Sequence, residues 1–280
     1  MGSDDMNMNM NMNMNMAAFS PSSVAPSRVR FNTADYRKLA PPAPAVIVRW
    51  PAPAFPANWD PDLRSYVYAN EFVLGNVGFQ AALGAVLGQR PVATQAVLDA
   101  QVRLMLDVSP DREDRFAEII DQHDAEGAIS YFLGMLAIDP ARHPMTYLLV
   151  RAARRIGEMV AMVLKQSPAG LAPVPRPSQA SPIVVPMIDP PVTPSFPSGH
   201  SLQARLIALS LEALRPGDAI RTGLLDYLAD RIGQNRIIAG LHYPLDHAAG
   251  VSVANALFPM LNNAANDPLF AALVAAATAE

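Results

Sequence analysis

The chain has 280 residues, 51% of them hydrophobic and 16% charged, which is enough to bury a sizeable core and fits one domain with an N-terminal extension. A net charge of −4 without a basic run excludes the electrostatic footprint of a nucleic-acid binder, and the absence of cysteine excludes disulfides and thiolate chemistry. Aromatics are only 7% while alanine and leucine abound, a composition suited to packed helices and an all-α fold.

In chain order, residues 1–16 (MGSDDMNMNMNMNMNM) read as a tag-like or low-complexity tail outside the fold. Residues 17–60 are proline-rich, which denies them helix and central strand, so they read as an extended arm. The two tryptophans, Trp50 and Trp59, are expected to pin that arm to the body or to a second subunit, giving a possible homodimer through the arm. Residues 61–280 form the helical domain. SYVYANEFVLGNVGFQAALGAVLG predicts a first helix, broken before Pro91, and VATQAVLDAQVRLMLDV a second. Ser109-Pro110 opens a third, running through DREDRFAEIIDQHDAEGAISYFLGML with an interruption expected near Gly127. His143-Pro144 opens a fourth that ends near Lys165. A fifth runs from Ser198 to about Leu214, AIRTGLLDYLADRIGQNRIIAGL is a sixth, the segment after Pro244 a seventh, and AALVAAATA a short eighth.

Spanning a bilayer takes about 20 mostly apolar residues. The best candidates are interrupted, by Arg151, Arg154, Arg155 and Glu158 in the fourth helix and by Arg205 and Glu212 in the fifth. At about 2.5–3.5 kcal/mol for each central charge, insertion is disfavoured and no membrane insertion is expected. No charged region leads into an uninterrupted apolar run, so a cytoplasmic location is expected, or a periplasmic one if the tail stands in place of a native signal.

Two stretches carry chemistry. Pro197-Ser198-Gly199-His200-Ser201 follows an extended, proline-rich approach and opens an apolar helix, so the N–H groups of Ser198, Gly199 and His200 are expected to point outward at a helix N-terminus, where anions bind. His200 at the mouth of that site is placed to give or take a proton. Some forty residues on, RIIAGLHYPLD supplies the cation Arg236, the imidazole His242 and the carboxylate Asp246, a set suited to nucleophilic attack on phosphorus. Pro244 begins a new helix, which keeps Asp246 close to His242.

Pro-Ser-Gly-His followed by Arg-x5-His-x3-Asp resembles the second and third signatures of the phosphatidic acid phosphatase type 2, bacterial acid phosphatase and vanadium haloperoxidase superfamily, in particular its soluble bacterial branch. Two departures stand out: Asn235 precedes Arg236 where the family has Ser, and ten residues separate Lys165 from Arg176-Pro177 where the first signature has six. The resemblance covers roughly residues 140–260. It implies an all-α bundle of the acid phosphatase/haloperoxidase type, with His242 as nucleophile forming a phosphohistidine, Asp246 holding its tautomer, and His200 as general acid and later base. Lys165, Arg176, Ser198, Gly199 and Arg236 would bind the phosphate oxygens, and no metal or cofactor is required.

The leading expectation is a metal-independent phosphatase acting on a phosphorylated small molecule, a phosphate monoester or a prenyl diphosphate. A vanadium-dependent haloperoxidase is the alternative; vanadate would then be the cofactor, ligated by His242. Two further readings use the same anion site, one a terpene cyclase that ionises a prenyl diphosphate, the other a non-catalytic phosphate-binding or scaffold protein. Of the remaining histidines, His123 is expected at the surface, His143 at a helix start and His247 as a second neighbour beside Asp246. Arg151, Arg154 and Arg155 read as a solvated helix face.

Overall fold

The computed structural model describes residues 59–76, 78–87, 94–166 and 173–280. Contacts divide the chain into two compact units, and the larger contains everything from Asp60 to Glu280. The tail over 1–16 lies outside the described residues, as does all but the end of the arm over 17–60, with Trp50 and the dimer contact expected of it.

Among the described residues the fold is all-α, with no strand. The helices are α1 (Pro61–Gly75), α2 (Phe79–Val86), α3 (Gln95–Asp107), α4 (Arg112–Asp121), α5 (Ala125–Met135), α6 (Pro144–Lys165), α7 (Pro177–Ala180), α8 (Gly199–Glu212), α9 (Ala219–Ile238), α10 (Pro244–Leu261) and α11 (Pro268–Thr278), with a 3-10 turn at Ser109–Asp111. Their starts follow from side-chain chemistry. Asp60, Thr94, Asp124, Ser198, Asp218 and Asp267 each accept a backbone N–H of the first turn, and Pro61, Pro144, Pro177, Pro244 and Pro268 sit where a missing N–H costs nothing. The α6 start is capped from afar: the Glu280 carboxylate accepts from Met145 N (2.7 Å), Thr146 N (2.9 Å) and Thr146 Oγ1 (2.9 Å).

Two predicted helices are broken differently. The first is two: at Asn76 the side-chain amide and the backbone N–H both donate to Phe72 O at 3.0 Å, ending α1, and α2 then brings the Phe79 ring to 5.3 Å from that of Phe72. The second break falls at Gln122–Asp124 rather than near Gly127, because Asp124 Oδ1 accepts Gly127 N at 2.6 Å and so starts a new helix. The short α7 lies in a stretch for which the sequence reading names no helix; there Pro177 presets the helical φ of the first residue.

Helix α8 is the axis of the bundle. It packs against α6, α9 and α10, while α1 and α11 cover α6, α4 and α5 lie on α9, and α2 and α3 on α10. Its burial is continuous from Gly199 to Ala204 and resumes from Leu206 to Ala208, as expected of a helix with no solvent face. Each fully buried Leu or Ile there contributes roughly 1.5–3 kcal/mol. All three neighbours present a glycine where they approach it. A Cβ on Gly157 of α6 would lie 3.0 Å from Gln203 and Leu202, one on Gly233 of α9 would lie 2.8 Å from Ser201 Oγ, and one on Gly250 of α10 would lie 2.6 Å from Ser198 O. Gly250→Ala is therefore expected to destabilise the protein by about 1–3 kcal/mol, since a methyl group against a helix backbone has nowhere to go. Because the displaced atoms belong to the first turn of α8, it should also lower turnover; denaturant midpoints and kinetics check both.

Arg154 and Arg155 are buried, which corrects the expected solvated face. Arg155 pairs with Asp62 (3.0 Å) and Glu158 (2.7 Å) and lies 3.8 Å over the Tyr66 ring, and Arg154 pairs with Glu158 (3.0 Å). Arg151 pairs with Glu126 (2.7 Å) and Asp62. Through Asp62, Arg151 and Arg155 fasten α1 to α6. Among the described residues, no helix is long and apolar enough to cross a membrane.

Candidate active site

The sequence-predicted residues converge where the end of α6, the start of α7, the first turn of α8, the last turn of α9 and the first turn of α10 meet. All are buried, none more than 5% exposed.

The centre is His242. A guanidinium only donates, so Arg176 Nη1, 2.9 Å from His242 Nε2, meets a lone pair there, and the imidazole proton sits on Nδ1, 3.1 Å from Asp246 Oδ2. That same carboxylate oxygen accepts Ser195 Oγ at 2.5 Å and Tyr243 N at 2.9 Å. Three donors on one oxygen fix the carboxylate, and the carboxylate fixes the tautomer. Burial pushes the Asp246 carboxyl up, against the pull of Ser195, Tyr243, Lys165 and Arg176. Burial and the cations Arg176, Lys165 and Arg236 hold His242 well below the usual imidazole range, so it is neutral, with its Nε2 lone pair turned to Arg176.

Three cations surround it. Lys165, the last residue of α6, reaches the site: Nζ donates to Pro194 O at 2.5 Å and Ser195 O at 3.1 Å. Arg176 donates from Nε to Thr193 O (2.8 Å), from Nη2 to Thr193 Oγ1 (3.0 Å) and from Nη1 to Leu241 O (3.0 Å). Its pKa falls to about 10 through burial, with Asp246 the opposing charge. Arg236 donates from Nη2 to Ile119 O at 3.0 Å, while its Nε and Nη1 are buried with no partner among the described residues. Burial alone brings its pKa to about 9. Two donors on this buried guanidinium thus meet no acceptor among the described residues.

The first turn of α8 corrects one expectation. Ser198 N does not point outward; it donates to Asp246 O at 3.0 Å and so ties α8 to α10. The N–H groups of Gly199 and His200 take no acceptor among the described residues and remain available, as helix-start amides do. Ser198 Oγ accepts from Ser201 N (3.4 Å) and lies 2.9 Å from Ser201 Oγ. A carbonyl only accepts, so His200 carries its proton on Nε2, toward Gln122 O at 3.0 Å; its Nδ1 is buried and unpartnered. Burial, then Arg236, hold His200 well below the usual range.

Sequence motifs missed the fourth wall. The C-terminal turn of α4 offers Ile119 O to Arg236 and Gln122 O to His200, and Asn235 Nδ2 holds that turn through Gln122 Oε1 (2.8 Å) and Glu118 Oε2 (3.0 Å). His123, expected at the surface, is half-buried on this turn, and its pKa is lowered by burial and by Arg236. Asn235, where the signature that the sequence resembles has Ser, was a signal of it in the sequence. His247 does not flank Asp246's carboxylate; it faces Ser201 Oγ and Asp230. His143 stands at the start of α6 as expected.

The two depressed histidines carry a pH consequence. Unfolded, each titrates near 6.5. Between that value and the lower folded one, the unfolded chain binds more protons, so their contribution to stability is full above about pH 6.5 and is lost as pH falls through the folded values. Asp246, shifted upward, acts with the opposite sign. Denaturant midpoints between pH 8 and pH 5 are expected to fall below about pH 6.5, and to fall less steeply in His200→Gln.

No family model matches the chain and no relative is detected among characterised proteins, so the case for this site rests on its residues and their geometry.

Proposed function

We propose that the protein is a metal-independent phosphatase of the acid phosphatase/haloperoxidase type, acting on phosphate monoesters or diphosphates through a phosphohistidine at His242. One observation carries this reading: a neutral imidazole whose Nε2 lone pair opens among Lys165, Arg176 and Arg236, the last with two buried donors unpaired. The phosphoryl oxygens would take the donors of Arg236, the amides of Gly199 and His200, and Arg176 once it turns from Nε2. His242 Nε2 then attacks phosphorus in line with the leaving oxygen, and the Asp246 carboxylate offsets the positive charge that develops on the ring. His200 Nδ1 is the atom that can protonate the departing oxygen; an arriving anion opposes the effect of Arg236 and favours the protonated ring. Water activated by the same nitrogen then hydrolyses the phosphohistidine.

Release of inorganic phosphate from a panel of monoesters and diphosphates by purified protein tests the reading, with vanadate expected to inhibit. Vanadate would be held by the same residues, so peroxide-dependent bromination after vanadate loading, without phosphate release, would overturn it. Tungstate or phosphate should raise the thermal midpoint, because an anion in the cation cage stabilises only the folded state; at a hundredfold excess over Kd the gain is about 2.7 kcal/mol.

A further inference from the structure

Outside the motifs, an unbroken chain of polar atoms runs from the surface to Ser198. Asp230 Oδ1 of α9 lies 2.9 Å from His247 Nε2, His247 Nδ1 of α10 lies 2.9 Å from Ser201 Oγ, and Ser201 Oγ lies 2.9 Å from Ser198 Oγ. Asp230 is about half exposed and the His247 side chain mostly buried, while both serines are fully buried. The packing makes room for it. Gly233 of α9 stands beside the ring, and a Cβ there would come within 2.3 Å of His247 Nδ1 and 2.8 Å of Ser201 Oγ.

We propose that His247, held by Asp230, is a positioning residue for the Ser198 hydroxyl and thereby strengthens anion binding at the phosphate site. Each hydroxyl has one proton, so the chain runs one way or the other. If His247 Nδ1 accepts from Ser201, then Ser201 accepts from Ser198, and the Ser198 proton points away from the site. If Nδ1–H donates to Ser201, then Ser201 donates to Ser198, whose own proton is left for an oxyanion. An oxyanion only accepts, and so selects the second direction. In that direction the ring carries one proton more than in the first, taken up from solvent together with the anion, and the half-exposed Asp230 carboxylate at Nε2 supports its charge. Asp230 is the charged group bonded to the ring from α9, α8 presents Ser201, and on α10 Asp246 precedes it with its carboxylate turned to His242.

The inference rests on the phosphate site and is tested without turnover, by calorimetric Kd for inorganic tungstate at pH 7. His247→Ala and Ser201→Ala are each expected to weaken tungstate binding about five- to tenfold, Asp230→Asn about threefold, and His247→Asn, which retains a polar atom near the Nδ1 position, less than His247→Ala. In a Ser198→Ala background the same His247→Ala change should cost less than about twofold. An equal loss in both backgrounds would show that His247 only packs, and would overturn the proposal while leaving the phosphatase reading in place. A wild-type protein that binds no tungstate would overturn both.

Discussion

Arg236→Ala is expected to lower kcat/KM by about three orders of magnitude while leaving the protein folded. A cation 4 Å from a unit charge at an effective dielectric near 20 is worth about 4 kcal/mol, and 1.36 kcal/mol is a factor of ten in rate. Arg236 has this attraction to give because Nε and Nη1 meet no acceptor among the described residues. Lys165→Ala is expected to cost less: its ammonium is already held by the carbonyls of Pro194 and Ser195, and it acts as a point charge while bracing the approach to Ser198. Stability should move independently of activity. Burial drives the Arg236 pKa to about 9 with no opposing charge, so its removal relieves a penalty and leaves only Ile119 O without its donor. Thermal midpoints within a few degrees of wild type, together with loss of the stabilisation by phosphate, would separate a lost anion site from a lost fold. Equal losses of turnover at Lys165 and Arg236 would show that the lysine contacts the anion directly.

The helical class was legible because Pro and Asp mark most helix starts and the long apolar runs leave no other period. Breaks within runs were less legible: Asn76 and Asp124 end or begin helices through side-chain hydrogen bonds that a hydropathy pattern does not register. At the site, Lys165 shows what spacing can and cannot say. Ten intervening residues argued against it, yet a longer loop closes at small extra entropy and the side chain still points inward from the end of α6. The α4 turn was hidden for a different reason. It contributes main-chain carbonyls, Ile119 O and Gln122 O, and any residue type has one. The burial of Arg155 was not legible because its partner Asp62 lies 93 residues away, beyond any helical repeat, whereas Arg154 pairs with Glu158 on its own helix.

The two histidines should part company in kinetics. With His242 as nucleophile, His242→Ala is expected to abolish turnover of every substrate, whereas His200→Ala should retain activity best where the leaving group needs no proton, as with nitrophenyl phosphate. The expected deficit of His200→Ala against an alkyl phosphate is about 10²–10⁴, the usual range for a positioned acid, shrinking toward unity as the leaving group becomes more acidic. The hydrogen bonds give the reason for the division. Nε2 of His242 is a lone pair backed through Nδ1–H by Asp246, the arrangement of a nucleophile, while Nδ1 of His200 is an unpartnered position backed through Nε2–H by a neutral carbonyl, which suits an atom that must both receive and release a proton. Quenching in alkali, where phosphohistidine survives, should trap label on the wild-type protein and more of it in His200→Ala if water activation is the slower step. Two variants falling equally on every substrate, with no trapped label, would remove the covalent route and leave direct attack by water or ionisation of a diphosphate in the same cage.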